Sequence, residues 1–185
     1  MSISNPTQRE QDSQADRRLA EMVLFVAERC QSDSKFGATK LNKILFFADA
    51  MSFIQRGKPI IGCEFMKLGQ GPVPRRLVPV RENLINAGRA VVQKKTLVPG
   101  REQHRLIPLD QPKLDAFTPD DIKFLDEVIG LLCDRSAAEV SELSHRVPAW
   151  EIAEDKETIP LEAAFIQSVD HTDSDVSLAL SFFRK

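Results

Sequence analysis

Apolar side chains recur along this chain mostly at helical spacing. Leu19, Met22, Val23 and Val26 fall at i, i+3, i+4 and i+7, which predicts a helix from about Asp16 to Cys30. A polar loop broken by Gly37 follows. The next helix carries the strongest signal. Leu41, Ile44, Leu45 and Ala48 form one stripe, and Phe47, Ala50, Met51 and Ile54 form a second beside it. A helix apolar over most of its circumference belongs in the middle of a fold. Thr39 is its expected N-cap, Gly57 its expected stop, and Pro59 prevents its return.

The pattern then changes. Residues 59–68 are β-leaning or extended, and residues 69–74 (Gly-Gln-Gly-Pro-Val-Pro) predict a rigid turn. Leu77, Val80 and Leu84 predict a third helix closing at Asn86-Ala87-Gly88. Pro79 implies either a short turn before that helix or a kink within it. Two β-prone runs, 90–98 and 102–108, flank Pro99-Gly100 and predict a hairpin. The second half is helical again. Thr118-Pro119-Asp120-Asp121 is a helix start, with Ile122, Leu125, Ile129 and Leu132 behind it. Ser136 and Glu139 form a capping-box pattern before Val140 and Leu143. Val147-Pro148-Ala149-Trp150 begins another helical turn, and Pro160 one more with Leu161, Ala164 and Phe165. A last stripe joins Val176, Ala179, Leu180 and Phe183.

Together these elements predict a mostly α fold: a compact helical domain with a small β-hairpin or sheet element. Residues 1–16 are polar and rich in Gln, Ser and Asp, and read as a flexible N-terminal arm. Residues 17–170 form the expected helical domain, and 171–185 an amphipathic helix, docked or partner-binding.

Composition narrows the function. A length of 185 residues fits one domain with its own core. The net charge of −2 argues against nucleic-acid binding as the main activity, because phosphate neutralisation wants a basic excess. The three cysteines, Cys30, Cys63 and Cys133, are far apart with no CxxC, so buried free thiols are expected rather than disulfides or zinc. The N-terminus lacks an apolar signal region, and no apolar run approaches a bilayer's thickness. A cytoplasmic protein without membrane contact is the expectation.

Candidate chemistry is sparse. Gly69-x-Gly71 lacks a following Gly-Lys-Ser/Thr, and Pro72 removes an N–H that a phosphate would want. His104, His145 and His171 show no metal-ligand spacing. His145 is expected to pack or cap, and the single Trp150 to sit in the core. The carboxylates of Asp120/Asp121 and Glu139/Glu142 suit helix N-termini. No catalytic residue, cofactor or metal is expected, and the chain reads as a binding protein, not an enzyme.

Three stretches in order resemble a known family. They are Lys40-Leu41-Asn42-Lys43-Ile44-Leu45-Phe46-Phe47-Ala48-Asp49, then Gly71-Pro72-Val73-Pro74, then Leu143-Ser144-His145 with Trp150 and Ile159-Pro160. Together they resemble the Panacea domain, the SocA-type antitoxin domain of bacterial and phage toxin–antitoxin systems. The resemblance implies a helical domain with a small β element that neutralises a cognate protein toxin. Neutralisation would follow either from occlusion or from delivery to a ClpXP-type protease. Relatives often carry a tyrosine-containing aromatic pair where this chain has Phe46-Phe47. Within the motifs, Leu41, Leu45, Phe47, Gly71, Pro72 and Trp150 read as structural. Lys40, Lys43, Gln70, Arg75 and Arg76 are polar and read as outer surface, so they are the expected partner-binding residues, with Leu180 and Phe183 of the last stripe. The competing class is a DNA-binding autoregulator using the basic pairs Lys40/Lys43, Arg75/Arg76 and Lys94/Lys95.

Overall fold

The computed structural model describes residues 6–164. The expected helix over Val176–Phe183, with Leu180 and Phe183, therefore lies outside the described residues, as does Phe165. The elements in chain order are α1 (Pro6–Arg29), α2 (Ala38–Arg56), β1 (Phe65–Leu68), β2 (Gly71–Pro74), α3 (Leu77–Asn86), β3 (Ala90–Val98) and β4 (Arg101–Pro108). They continue with α4 (Pro119–Leu132), α5 (Ala137–His145), α6 (Pro148–Ile152), β5 (Thr158–Ile159) and a 3₁₀ turn (Leu161–Ala163). Helices dominate, as the periodicity implied. The β share is larger than one hairpin: five strands form two sheets among the described residues, in the orders β2-β1-β5 and β3-β4.

The central element is α2. Leu41, Ile44, Leu45, Phe46, Phe47, Ala48 and Ala50 are all buried, and the helix packs against α1, α4, α5, β2 and β4. Its apolar stripes cover most of its circumference, so it sits in the middle with the other elements around it. Phe46 packs against Phe47 and edge-on against Phe65 of β1, with ring centroids 5.5 and 5.3 Å apart. The helix stops at Gly57, whose φ of 69° a side chain would disfavour. Its N-cap is Gly37, with no side-chain cap, rather than Thr39. Thr39 lies inside the first turn, and its hydroxyl reaches across to Gln70 instead.

One polar group ties the next loop to α2. The buried carboxylate of Asp49 accepts hydrogen bonds from the amides of Ile61 (2.6 Å) and Gly62 (2.9 Å). Burial pushes Asp49 up to about 6, and these amides restrain that rise by favouring the charged form. The chain then enters β1 and turns at Gly69-Gln70. It returns as β2, with Phe65 opposite Pro74 and Leu68 opposite Gly71. The expected rigid turn over 69–74 is thus only its first two residues. Pro72 and Pro74 suit β2 because it is an edge strand, where a missing N–H costs no ladder bond. The short β5 pairs with the other side of β1, Phe65 opposite Ile159. No periodicity announced it.

The first helix is longer than expected. It begins at Pro6, so the boundary read at Asp16 falls within it. Gln, Glu, Arg and Ala are good helix formers, and extending a helix already nucleated by a buried stripe is cheap. Pro79 occupies the third residue of α3, in the first turn, where the missing N–H would have no intrahelical partner anyway. A short turn, Arg75-Arg76, precedes the helix, as one of the two alternatives had it, and no kink is needed. The capping readings of the second half hold. Thr118 and Asp121 form a reciprocal capping box at α4, and Ser136 and Glu139 another at α5. The three thiols are free; Cys30 and Cys63 are buried and Cys133 is half-buried. No described helix is long and apolar enough to cross a membrane.

Candidate functional site

The fold brings the three sequence motifs to one place. Lys43 of α2 extends beneath the β1–β2 hairpin and donates to the Pro72 carbonyl at 3.2 Å. Gly71 rests on the same lysine and on α5. A Cβ built at Gly71 would lie 2.3 Å from Ser144 Oγ and 2.7 Å from Lys43 Cε, so only a hydrogen fits there. Its φ of 101° is a conformation that side chains rarely adopt. Ser144 donates to the Ser141 carbonyl at 2.8 Å, and Ser141 donates to the Gln70 carbonyl at 3.1 Å. These bonds lock the hairpin turn onto α5.

Next to this junction stands a layered stack. The His145 ring lies flat on Trp150, with centroids 4.0 Å apart and planes 14° apart. Lys67 Nζ sits over the Trp150 ring at 4.3 Å and donates to the Ala153 carbonyl at 2.9 Å. Burial, then the nearby Lys43 charge, holds the His145 imidazole below the usual histidine range. A neutral, stacked histidine is a packing group, as its sequence context implied.

The residues expected to form one binding surface do not form one. Lys40 and Lys43 are completely buried, which corrects their reading as outer surface. Lys40 is tolerated because Asp33 Oδ2 and the carbonyls of Cys133 and Arg135 surround its ammonium. Among the described residues no carboxylate stands beside Lys43, and burial pushes it down to about 7. Gln70 is exposed and accepts from Thr39 at 2.9 Å. Arg75 reaches Thr158 Oγ1 at 2.8 Å and Glu64 at 3.3 Å, bracing the sheet of β1. Arg76 pairs with Asp16 of α1 at 2.6 Å and borders a cleft of about 550 Å³ between α1 and α3. Trp150 is only partly buried, packed against the core rather than within it.

A groove of about 730 Å³ opens beside the junction, and its walls come from α2, α5 and both hairpins. Thr39 stands at the start of α2 and Gln70 on the hairpin turn; Leu97 and His104 come from β3 and β4, and Ser141 and His145 from α5. Of the expected partner-binding residues that are described, Gln70 alone lines it. Ser141 and the end of the β3–β4 hairpin were not singled out from sequence, and Ser144 entered only as part of the third motif. The available signal was weak: Ser141 and Ser144 share a helix face at i, i+3, and Glu102 and His104 alternate onto one strand face. Among the described residues no group of three or more His, Cys, Asp or Glu side chains converges as a metal site would require.

The family model for the SocA-like antitoxin, Panacea domain, matches residues 41–151. The chain belongs to this family. The matched stretch begins in α2 and ends in α6, so it encloses Lys43, Gly71, Ser144, His145 and Trp150. No curated protein and no solved structure matches the chain. Within the Panacea segment the junction is a packing device, built of a buried lysine, a glycine and a stacked histidine. The groove and the exposed β3–β4 hairpin lie within the same segment.

Proposed function

We propose that this chain neutralises a cognate protein toxin by binding it directly. The observation that carries the reading is membership of the SocA-like antitoxin family over residues 41–151. The geometry is compatible with it. The Panacea motifs are spent on packing α2 against the β1–β2 hairpin and α5, while exposed surface lies along the groove and the second hairpin. On this reading the action is binding and not catalysis, and the burial of Lys43 and the stacking of His145 on Trp150 support it. Neutralisation takes one of two forms, occlusion of the toxin or its delivery to a ClpXP-type protease.

Co-expression tests this. A gene encoded beside this one is expected to arrest growth when expressed alone and to be harmless when this chain is made with it. The two proteins should co-purify in fixed stoichiometry. A neighbour that is harmless alone, or toxic but not rescued, would defeat the reading. The toxin's lifetime after synthesis is stopped separates the two forms. Occlusion leaves it unchanged or longer, whereas delivery shortens it in a ClpXP-dependent manner.

A further inference from the structure

We propose that the toxin docks by adding an extended, carboxylate-bearing strand to the free edge of β3. This rests on the toxin-binding reading above and names the surface and the chemistry of the partner. The argument begins with the sheet. β3 and β4 pair with each other and with no other described strand. β4 is the inner strand. Its Arg105 donates to the carbonyls of Asp33 (2.9 Å), Cys30 (2.7 Å) and Gln31, and lies over the Phe36 ring. Gln103 donates to the Ser34 carbonyl at 3.0 Å, and Leu106 is buried. These contacts hold a two-stranded sheet that would be marginal by itself.

β3 is the outer strand. Ala90 anchors its start in the core, but residues 93–97 are exposed one after another. Side chains of a strand alternate between faces, so an unbroken exposed run means that both faces are open. With β4 on one side only, alternate residues of β3 turn their N–H and C=O groups outward, the pattern that strand addition uses.

Charge selects the occupant. The outer strand β3 carries Lys94 and Lys95 and no carboxylate, and the one carboxylate of β4 is Glu102. Glu102 is already engaged by His104 at 3.0 Å. Lys94 and Lys95 point to opposite faces, so a partner strand meets a cation whichever face it presents. The same lysines oppose edge-to-edge pairing with a second copy of this chain, as charged edge residues do. Val91 and Leu97, each a little under half exposed at 44% and 46%, add apolar contact along the edge.

The test uses the full chain and the purified product of the adjacent toxic gene, in two measurements. In the first, Lys94→Glu/Lys95→Glu is compared with Lys58→Glu, an exposed lysine outside the sheet. The double variant should bind the toxin at least about tenfold more weakly, as reversal of complementary interface charge does, with its unfolding temperature unchanged. Lys58→Glu should bind as the parent does. In the second, amide hydrogen exchange of residues 91–98 should slow on complex formation, because added pairing protects outward N–H groups. Unchanged affinity in the double variant, or unchanged exchange in β3, overturns the docking edge while leaving the toxin reading intact. Failure of the parent chain to bind any adjacent toxin overturns both. Salt-steep binding of duplex DNA that the double variant loses, with toxin binding kept, or protection of β3 by self-association alone, also overturns the proposal.

Discussion

Gly71→Ala is expected to destabilise the folded chain by about 3 kcal/mol or more, from the combined cost of left-handed backbone strain and overpacking. Both causes are local and visible. The backbone at Gly71 has φ 101°, and the added methyl would lie 2.3 Å from Ser144 Oγ and 2.9 Å from Lys43 Nζ. None of these neighbours moves freely: Ser144 belongs to α5 and Lys43 to the buried face of α2. Two residues earlier the outcome should differ. Gly69 has nothing within 4 Å of its would-be Cβ, so Gly69→Ala should cost less than about 1 kcal/mol. Denaturant unfolding of both variants measures the difference. Adding Ser144→Ala to Gly71→Ala should recover part of the loss, since the nearest clash is removed while the strain stays. Equal, small costs at Gly69 and Gly71 would show that the hairpin turn does not pack on α5 as described.

The second large effect separates two lysines one helical turn apart. Lys40→Met is expected to destabilise by about 3 kcal/mol, because Asp33 and two carbonyls lose a buried cation. Lys43→Met is expected to stabilise near neutral pH. Lys43 offers one hydrogen bond to Pro72, and burial lowers it from 10.5 to about 7. Its protonated form is therefore favoured more strongly in the unfolded chain than in the folded one. That preference is a penalty worth about 4 kcal/mol at and below neutral pH. Methionine removes the penalty and leaves the Pro72 carbonyl without its donor, a loss of about 1 kcal/mol.

The sign of the pH dependence follows. Between about 7 and 10.5 the unfolded chain holds a proton on Lys43 that the folded chain has released, so stability rises with pH through that window. From pH 7 to 8.5 the parent should gain roughly 1.5 kcal/mol that Lys43→Met does not. Cys30, pushed up to about 12, and Cys63, also raised, oppose the rise at higher pH. They act alike in both proteins, so the difference between the two curves isolates Lys43. Chemical denaturation at several pH values reads it directly, and parallel curves would show that Lys43 is not a depressed, buried amine.

Much of this protein was legible before its structure. Two offset apolar stripes identify α2 as the central helix, because a helix apolar on most sides has nowhere else to go. Thr118 and Ser136 announce their helices through side-chain caps that act within one turn. Pro99-Gly100 marks a two-residue hairpin between β-prone runs, and the structure places it there. The ordered motifs identify the family. All of these signals are local: each depends on residues a few positions apart.

The remainder depended on contacts between distant segments. By sequence rules Lys40 and Lys43 belong outside, since burying an ammonium is costly. Only the tertiary structure supplies Asp33 and the carbonyls around residues 133–135 that surround the Lys40 ammonium, and the sealed contact with Gly71 and Pro72 in which burial depresses Lys43. Gly69 and Gly71 look equivalent as a Gly-x-Gly turn until Ser144, far along the chain, closes over one of them. β5 is two residues long and exists because β1 offers it an edge. The partner-facing surface was the least legible. A strand's free edge is defined by which neighbours are absent from its side, and a sequence does not state what a strand fails to pair with. Periodicity, capping and turn chemistry are short-range and are written in the sequence; burial of charge, close packing at glycine and open strand edges are set when the chain closes on itself.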